Sequence, residues 1–163
     1  MSGKLNHFDD SGNAVMVDVS SKGPTVRTAV ARGEIRVTRE ILEAIQAGTV
    51  KKGDVLGVAR VAGIMAVKRT WELIPLCHPL LLDHCALELD TDAQRLTVTA
   101  ECTVRCTGRT GVEMEALQGV TTALLTVYDM CKALSHEMVL GPIHLVSKDG
   151  GKSGPFRFGE SHD

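Results

Sequence analysis

The stretch CALELDTDAQRLTVTAECTVR, residues 85–105, decides how the rest of the chain is read. Leu96, Val98, Ala100, Cys102 and Val104 take every second position, with polar residues between them. A period of two sends one set of side chains to a buried face and the other to water, the pattern of a strand in a half-covered sheet. Residues 85–89 also read as a strand, and Asp90-Thr91-Asp92 supplies a polar turn between the two runs. The prediction is a β-hairpin, and hairpins build antiparallel sheet.

Helices flank this hairpin. On its N-terminal side, Asp54 is suited to cap a helix running to about Glu72, ahead of Pro75. From Val61 to Val67 that helix carries no charge, and Gly57, Ala59, Ala62, Gly63 and Ala66 keep it thin. A helix apolar all round is a buried one, with one side available to another subunit. On the C-terminal side, Thr110-Gly111-Val112-Glu113 fits a capping box, which accounts for Glu113 by itself. Leu117, Val120, Leu124, Val127, Cys131 and Leu134 then form one apolar stripe to about residue 134, and Glu115, Gln118, Thr122 and Asp129 fall on the opposite, solvated side. Further elements are a short strand at 15–19, a strand pair or one long bent strand at 25–37, a helix opened by Thr38 and stopped by Gly48, and a last strand at about 139–146. Strands mixed with helices, without strict alternation, predict one α+β domain over residues 1–163, with about 1–13 and 155–163 as flexible tails.

Composition narrows the function. One Trp, one Tyr and three Phe are too few to stack exposed bases, and a net charge of −2 does not suit a nucleic-acid backbone. No stretch is long enough to span a bilayer, and the first residues lack a signal peptide's apolar region. Five cysteines without any Cys-x-x-Cys predict reduced thiols in a cytoplasmic protein. Cys77, His78, His84 and Cys85 fit no zinc spacing, so no metal site is expected there.

DGGKSG, residues 149–154, resembles the centre of a P-loop, but Val146 stands where the earlier glycine belongs and no useful helix follows. An anion site of lysines on glycine-permitted backbone remains, beside the simpler reading of a solvated loop. Asp129 and Lys132 form an i,i+3 pair that is commonplace on solvated helices. Lys51-Lys52 at a glycine turn is either a solvated loop end or a source of protons.

Taken as a set, MVDVS (16–20), KKGD (51–54), AGIMAVKRTWELIPLCHPL (62–80), TGVEMEAL (110–117), TVYDMCKAL (126–134) and KDGGKSG (148–154) closely resemble the cyclic pyranopterin monophosphate synthases of molybdenum cofactor biosynthesis. The match follows the family's order over almost the whole chain. It implies a ferredoxin-like antiparallel sheet packed against long helices, and a homohexamer built as a trimer of dimers with sites at the dimer interface. It implies a lyase acting on 3',8-cyclo-7,8-dihydro-GTP, which rebuilds the ring system into cyclic pyranopterin monophosphate and releases diphosphate. The family's catalytic aspartate falls on Asp129 and its KGD lysine on Lys52, with Lys132 one turn beyond the aspartate. Leu76, Cys77, His78, Met114 and Glu115 match substrate-binding segments, with Glu113 beside them, and Arg27, Lys148 and Lys152 are candidates for the triphosphate. No tightly bound cofactor is implied, and whether Mg²⁺ accompanies the triphosphate stays open. A regulatory nucleotide-binding module and a purely structural oligomer are the rival readings. Neither needs an aspartate and two lysines able to move protons.

Overall fold

The computed structural model describes residue 9 and residues 11–160. The β-rich stretch after Gly23 is a single long strand, β1 (Thr25–Arg36), whose alternation buries Ala29, Ala31 and Ile35. Thr38 caps α1 (Arg39–Ala47) by accepting from the Ile41 amide, and Gly48 ends it in the left-handed region at φ 68°. A cap of this kind is worth about 1 kcal/mol. Asp54 does the same for α2 (Val55–Lys68), accepting from the Gly57 amide at 3.0 Å. The helix expected to reach Glu72 breaks at Arg69, and a separate turn, α3 (Thr70–Leu73), completes it.

The hairpin forms with longer arms, β2 (His84–Asp92) and β3 (Thr97–Gly108). Asp90 and Thr91 belong to the strand, and the turn lies beyond them. Asp92 draws it there by accepting the amides of Gln94 and Arg95 through one carboxylate oxygen. Then come α4 (Glu113–Cys131), β4 (Val139–Asp149) and the two-residue β5 (Phe156–Arg157). Sheet order is β2-β3-β1-β4-β5 with every neighbour antiparallel. Through β4 this is the βαββαβ order of a ferredoxin-like domain, an α+β fold.

Two expectations about the chain ends meet the structure differently. Residues 15–19 form no strand: only Ala14 makes an isolated bridge. Their alternation is one of burial, Val17 and Val19 turning in while Val15, Met16 and Asp18 turn out. Within the stretch expected as a C-terminal tail, Phe156 pairs with Lys148 and Arg157 with Ser147. Most of the expected N-terminal tail, and residues 161–163, lie outside the described residues.

The helices α2 and α4 lie together on one face of the sheet. Val120, Leu124 and Val127 of α4 are fully buried, as are Ala59 of α2 and Val98, Val104 and Cys106 of β3. The crossing of the two helices depends on missing side chains. A Cβ at Gly63 would stand 2.8 Å from the Gly119 carbonyl oxygen, and one at Gly119 would meet Val67 at 2.6 Å and Cys102 Sγ at 2.8 Å. The thin apolar helix of the sequence is therefore thin for α4. Its outer side is bare in the single chain: Val58, Val61 and Met65 are 46, 58 and 49% exposed.

Candidate active site

Two clusters form, one at each end of α4. At the C-terminal end, Asp129 receives lysines from two directions. Lys132 Nζ stands 2.7 Å from Asp129 Oδ1, and Lys52 Nζ stands 2.8 Å from Oδ2. Lys52 arrives from the loop before α2, 77 residues away in sequence, and also donates to the Asp129 carbonyl at 2.9 Å. A cation at the C-terminus of a helix is favourably placed against its dipole. The hydrogen bond from Lys132 and then that from Lys52 hold the Asp129 carboxyl down to about 2, and Asp129 in turn pushes the Lys132 ammonium up. At neutral pH the cluster is a carboxylate between two ammonium groups, in water. It offers two proton donors and one acceptor within a single contact.

At the N-terminal end, the capping box does not form. Val112 is the cap residue, at φ −119° and ψ 25°, and no side chain caps the helix. Glu113 instead reaches across to Lys148 at 3.0 Å, a tertiary partner that local sequence cannot announce. Glu115 is also placed differently from the solvated face expected for it, being only 5% exposed. Leu76, Cys77, His78 and Leu80 from the loop after α3, with Val17 and Val19, close over that side of α4. Burial pushes the Glu115 carboxyl up and Glu113 adds to the effect, against an opposing contribution from Glu115's own amide. Burial and then Glu115 raise the Cys77 thiol, so Cys77 is a weak nucleophile. The sequence-nominated residues Leu76, Cys77, His78, Glu113, Met114 and Glu115 thus share one cleft of about 330 Å³.

Basic clefts continue from it. One of about 180 Å³ is bordered by Glu113, Arg27, Arg109 and Lys148, and another of about 520 Å³ by Arg27, Lys152 and Ser153. The glycine loop is tied at its base. Arg157 grips both carboxylate oxygens of Asp149, at 2.8 and 3.0 Å, and donates to the Lys148 carbonyl at 3.0 Å. Lys148 also donates to Ser153 at 3.2 Å. Gly150 and Gly151 take φ of 92° and 83° and press against the Val26 carbonyl and the Arg27 guanidinium. Such a loop can wrap an anion without side chains of its own in the way.

All twelve nominated residues fall in these two regions: Lys52, Asp129 and Lys132 in the first, the rest in the second. In one chain the regions do not meet. Sequence reasoning overlooked Lys22, Arg109 and Arg157, which have no local pattern to mark them. Among the described residues, no three His, Cys, Asp or Glu side chains are gathered as a metal ion requires. Nor, among them, is any helix long and apolar enough to cross a membrane.

The sequence that builds these clusters has counterparts among known proteins. Residues 16–151 match the MoaC family, and the chain belongs to that family. Similarity to individual members runs nearly end to end. The cyclic pyranopterin monophosphate synthase of Clostridium botulinum (strain Alaska E43 / Type E3) is 58% identical over 156 residues, covering 96% of this chain and 98% of the relative. That of Roseiflexus sp. (strain RS-1) is 58% identical over 152 residues, 93% and 96% of the two chains. That of Limosilactobacillus fermentum (strain NBRC 3956 / LMG 18251) is 55% identical over 161 residues, 99% and 97%.

Proposed function

We propose that this chain is a lyase of molybdenum cofactor biosynthesis that converts 3',8-cyclo-7,8-dihydro-GTP into cyclic pyranopterin monophosphate and releases diphosphate. The observation that carries the reading is identity of 52–58% over nearly the full chain to enzymes of that name. The geometry supports it from the chemical side. Asp129, Lys52 and Lys132 are the catalytic groups, delivering and removing the protons that ring opening and rebuilding require. The cleft of Leu76, Cys77, His78, Glu113, Met114 and Glu115 takes the ring system. Arg27, Lys148 and Lys152 take the triphosphate and favour the leaving diphosphate. Any Mg²⁺ arrives on the triphosphate, as part of the substrate, and no tightly bound cofactor is proposed.

The separation of the clusters supports a site shared between subunits. Glu113 and Lys132 are nineteen residues apart along α4, roughly 28 Å at the rise of a helix. An extended nucleoside triphosphate is shorter than that. One subunit then supplies the Asp129 end and its partner the Glu113 end, and the bare apolar side of α2 is a natural contact. A homohexamer built as a trimer of dimers, in the cytoplasm, completes the proposal. Incubation with the cyclised GTP derivative should yield diphosphate and the cyclic phosphate product in equal amounts. Binding without turnover would favour a regulatory module instead.

A further inference from the structure

We infer that Cys85 and Cys102 form a peroxide-reactive dithiol, in which Cys85 meets the oxidant and Cys102 closes a disulfide with it. Neither residue belongs to the two clusters at the ends of α4. Cys85 alternates with the exposed His84 and shares its side of β2 with the buried Leu87 and Leu89. Cys102 and Val104, both fully buried, hold the same side of β3. The register sets Cys85 opposite Val104 and Leu87 opposite Cys102, so the two cysteines are diagonal neighbours on one surface of the sheet. Diagonal side chains of an antiparallel pair remain within reach of one another. Here the reach is realised: the Cys102 thiol donates a hydrogen bond to the Cys85 sulfur. Both cysteines are free, so the resting pair is a dithiol.

The two thiols differ as an attacking and a resolving partner must. Cys85 is half-buried on the edge strand, whereas Cys102 is 0% exposed, so an oxidant arriving from water meets Cys85 first. The hydrogen bond from Cys102 lowers the Cys85 thiol, burial opposes it, and the Lys68 ammonium at the end of α2 lowers it further. The same hydrogen bond, then burial, pushes the Cys102 thiol up. The thiolate is the form that attacks, and the acidity order places it on Cys85. Cys77 is also half-buried but is driven the other way, by burial and then by Glu115.

The chemistry needs a hydroperoxide as oxidant and runs in two steps. The Cys85 thiolate attacks one peroxide oxygen and the O–O bond breaks. Cys85 becomes a sulfenic acid, and the departing hydroxide takes up a proton to leave as water. Cys102 sulfur then bonds to Cys85 sulfur while the S–O bond of the sulfenic acid breaks. The thiol proton of Cys102, already directed at Cys85, leaves with that oxygen as a second water. Peroxide is reduced, and the two thiols are oxidised to one disulfide. An S–S bond of about 2 Å is shorter than a hydrogen-bonded contact between thiols. The strands must therefore draw together, and β2 can give because it is paired along one side, with β3. A dithiol reductant reverses the bond by exchange.

The test exposes the native full chain to one equivalent of hydrogen peroxide, blocks the remaining thiols by alkylation in denaturant, and maps the unreduced peptides by tandem mass spectrometry. Cys85 should be joined to Cys102 with the loss of two hydrogens, while Cys77, Cys106 and Cys131 are alkylated. Dithiothreitol should restore both thiols. Cys102→Ala should stop at a sulfenic acid that a 1,3-diketone captures on Cys85, and Cys85→Ser should leave Cys102 reduced. Melting temperatures report whether the variants fold, and the wild-type map decides the matter if either does not. The inference is overturned if Cys77 oxidises ahead of Cys85 or pairs with it. It is equally overturned if Cys85 proceeds to sulfinic acid while Cys102 stays free, or if a folded Cys85→Ser oxidises at Cys102 as fast as wild type.

Discussion

The two ends of α4 hold carboxylates in opposite conditions. Asp129 is 55% exposed, and two ammonium groups keep it ionised. Glu115, fourteen residues earlier on the same helix, is buried and its carboxyl is driven towards the neutral form. Environments that separate two carboxyl groups in this way separate their roles. The exposed end presents charge in contact with water. The buried end presents a cleft lined by a carboxyl that burial holds towards its neutral form.

The strongest way to break this contrast is to remove the charge at the exposed end. Asp129→Asn should lower turnover by about 10²–10⁴-fold while circular dichroism stays native, since the side chain is in water. Lys52→Ala should abolish turnover yet leave substrate binding measurable by calorimetry. Binding lost in proportion to activity would make Lys52 an anchor for phosphate. Next in size is complementation between the ends. Glu113→Ala and Lys132→Ala, each inactive, should regain about a quarter of the wild-type rate when dissociated, mixed and reassembled. Half of the random pairs are mixed, and each mixed pair keeps one intact site of two. No recovery, with subunit exchange demonstrated, removes the shared-site reading for this pair.

Stability should sharpen the contrast with opposite signs in pH. The folded value for Asp129 is about 2, below its ordinary 3.8. Its stabilising contribution is therefore present above pH 3.8 and lost as pH falls through about 2. The melting-temperature gap between wild type and Asp129→Asn should stay flat from pH 8 to about 5 and close only below the ordinary carboxylate range. The folded value for Glu115 is raised, so its contribution is full below 4.5 and lost as pH rises through the folded value. Glu115→Gln, neutral throughout, should melt above wild type at pH 8, with the advantage vanishing in acid. A Gln variant less stable than wild type at pH 8 would show that the buried carboxylate has a compensating partner.

Elements whose signals are local were legible. Thr38, Gly48 and Asp54 mark helix ends with their own side chains or backbone, and the alternation at 96–105 marks a strand by itself. The failures share one cause. Thr110 and Glu113 have the spacing of a capping box, but Lys148, from β4, takes the glutamate. Glu115 falls opposite the apolar stripe of α4, but the loop at 74–82 and the segment at 15–22 cover that side. Pairing Asp129 with Lys132 needs only helical spacing. Adding Lys52 needs knowledge of a chain crossing 77 residues long, which only the family resemblance supplied. Lys22 had no signal beyond the inward turn of Val17 and Val19.

The two bare glycines at the helix crossing constrain anyone who would redesign this protein. Replacing a mid-helix glycine by alanine is a common route to about 1 kcal/mol of extra stability. Here the added methyl at Gly63 or Gly119 would wedge α2 away from α4. Lys52 travels with the leading end of α2, and Asp129 sits at the trailing end of α4, joined by a contact of 2.8 Å. A displacement of about 1 Å takes such a contact out of hydrogen-bonding range. The reach of a surface lysine is thus calibrated in the interior, by two atoms that are not there.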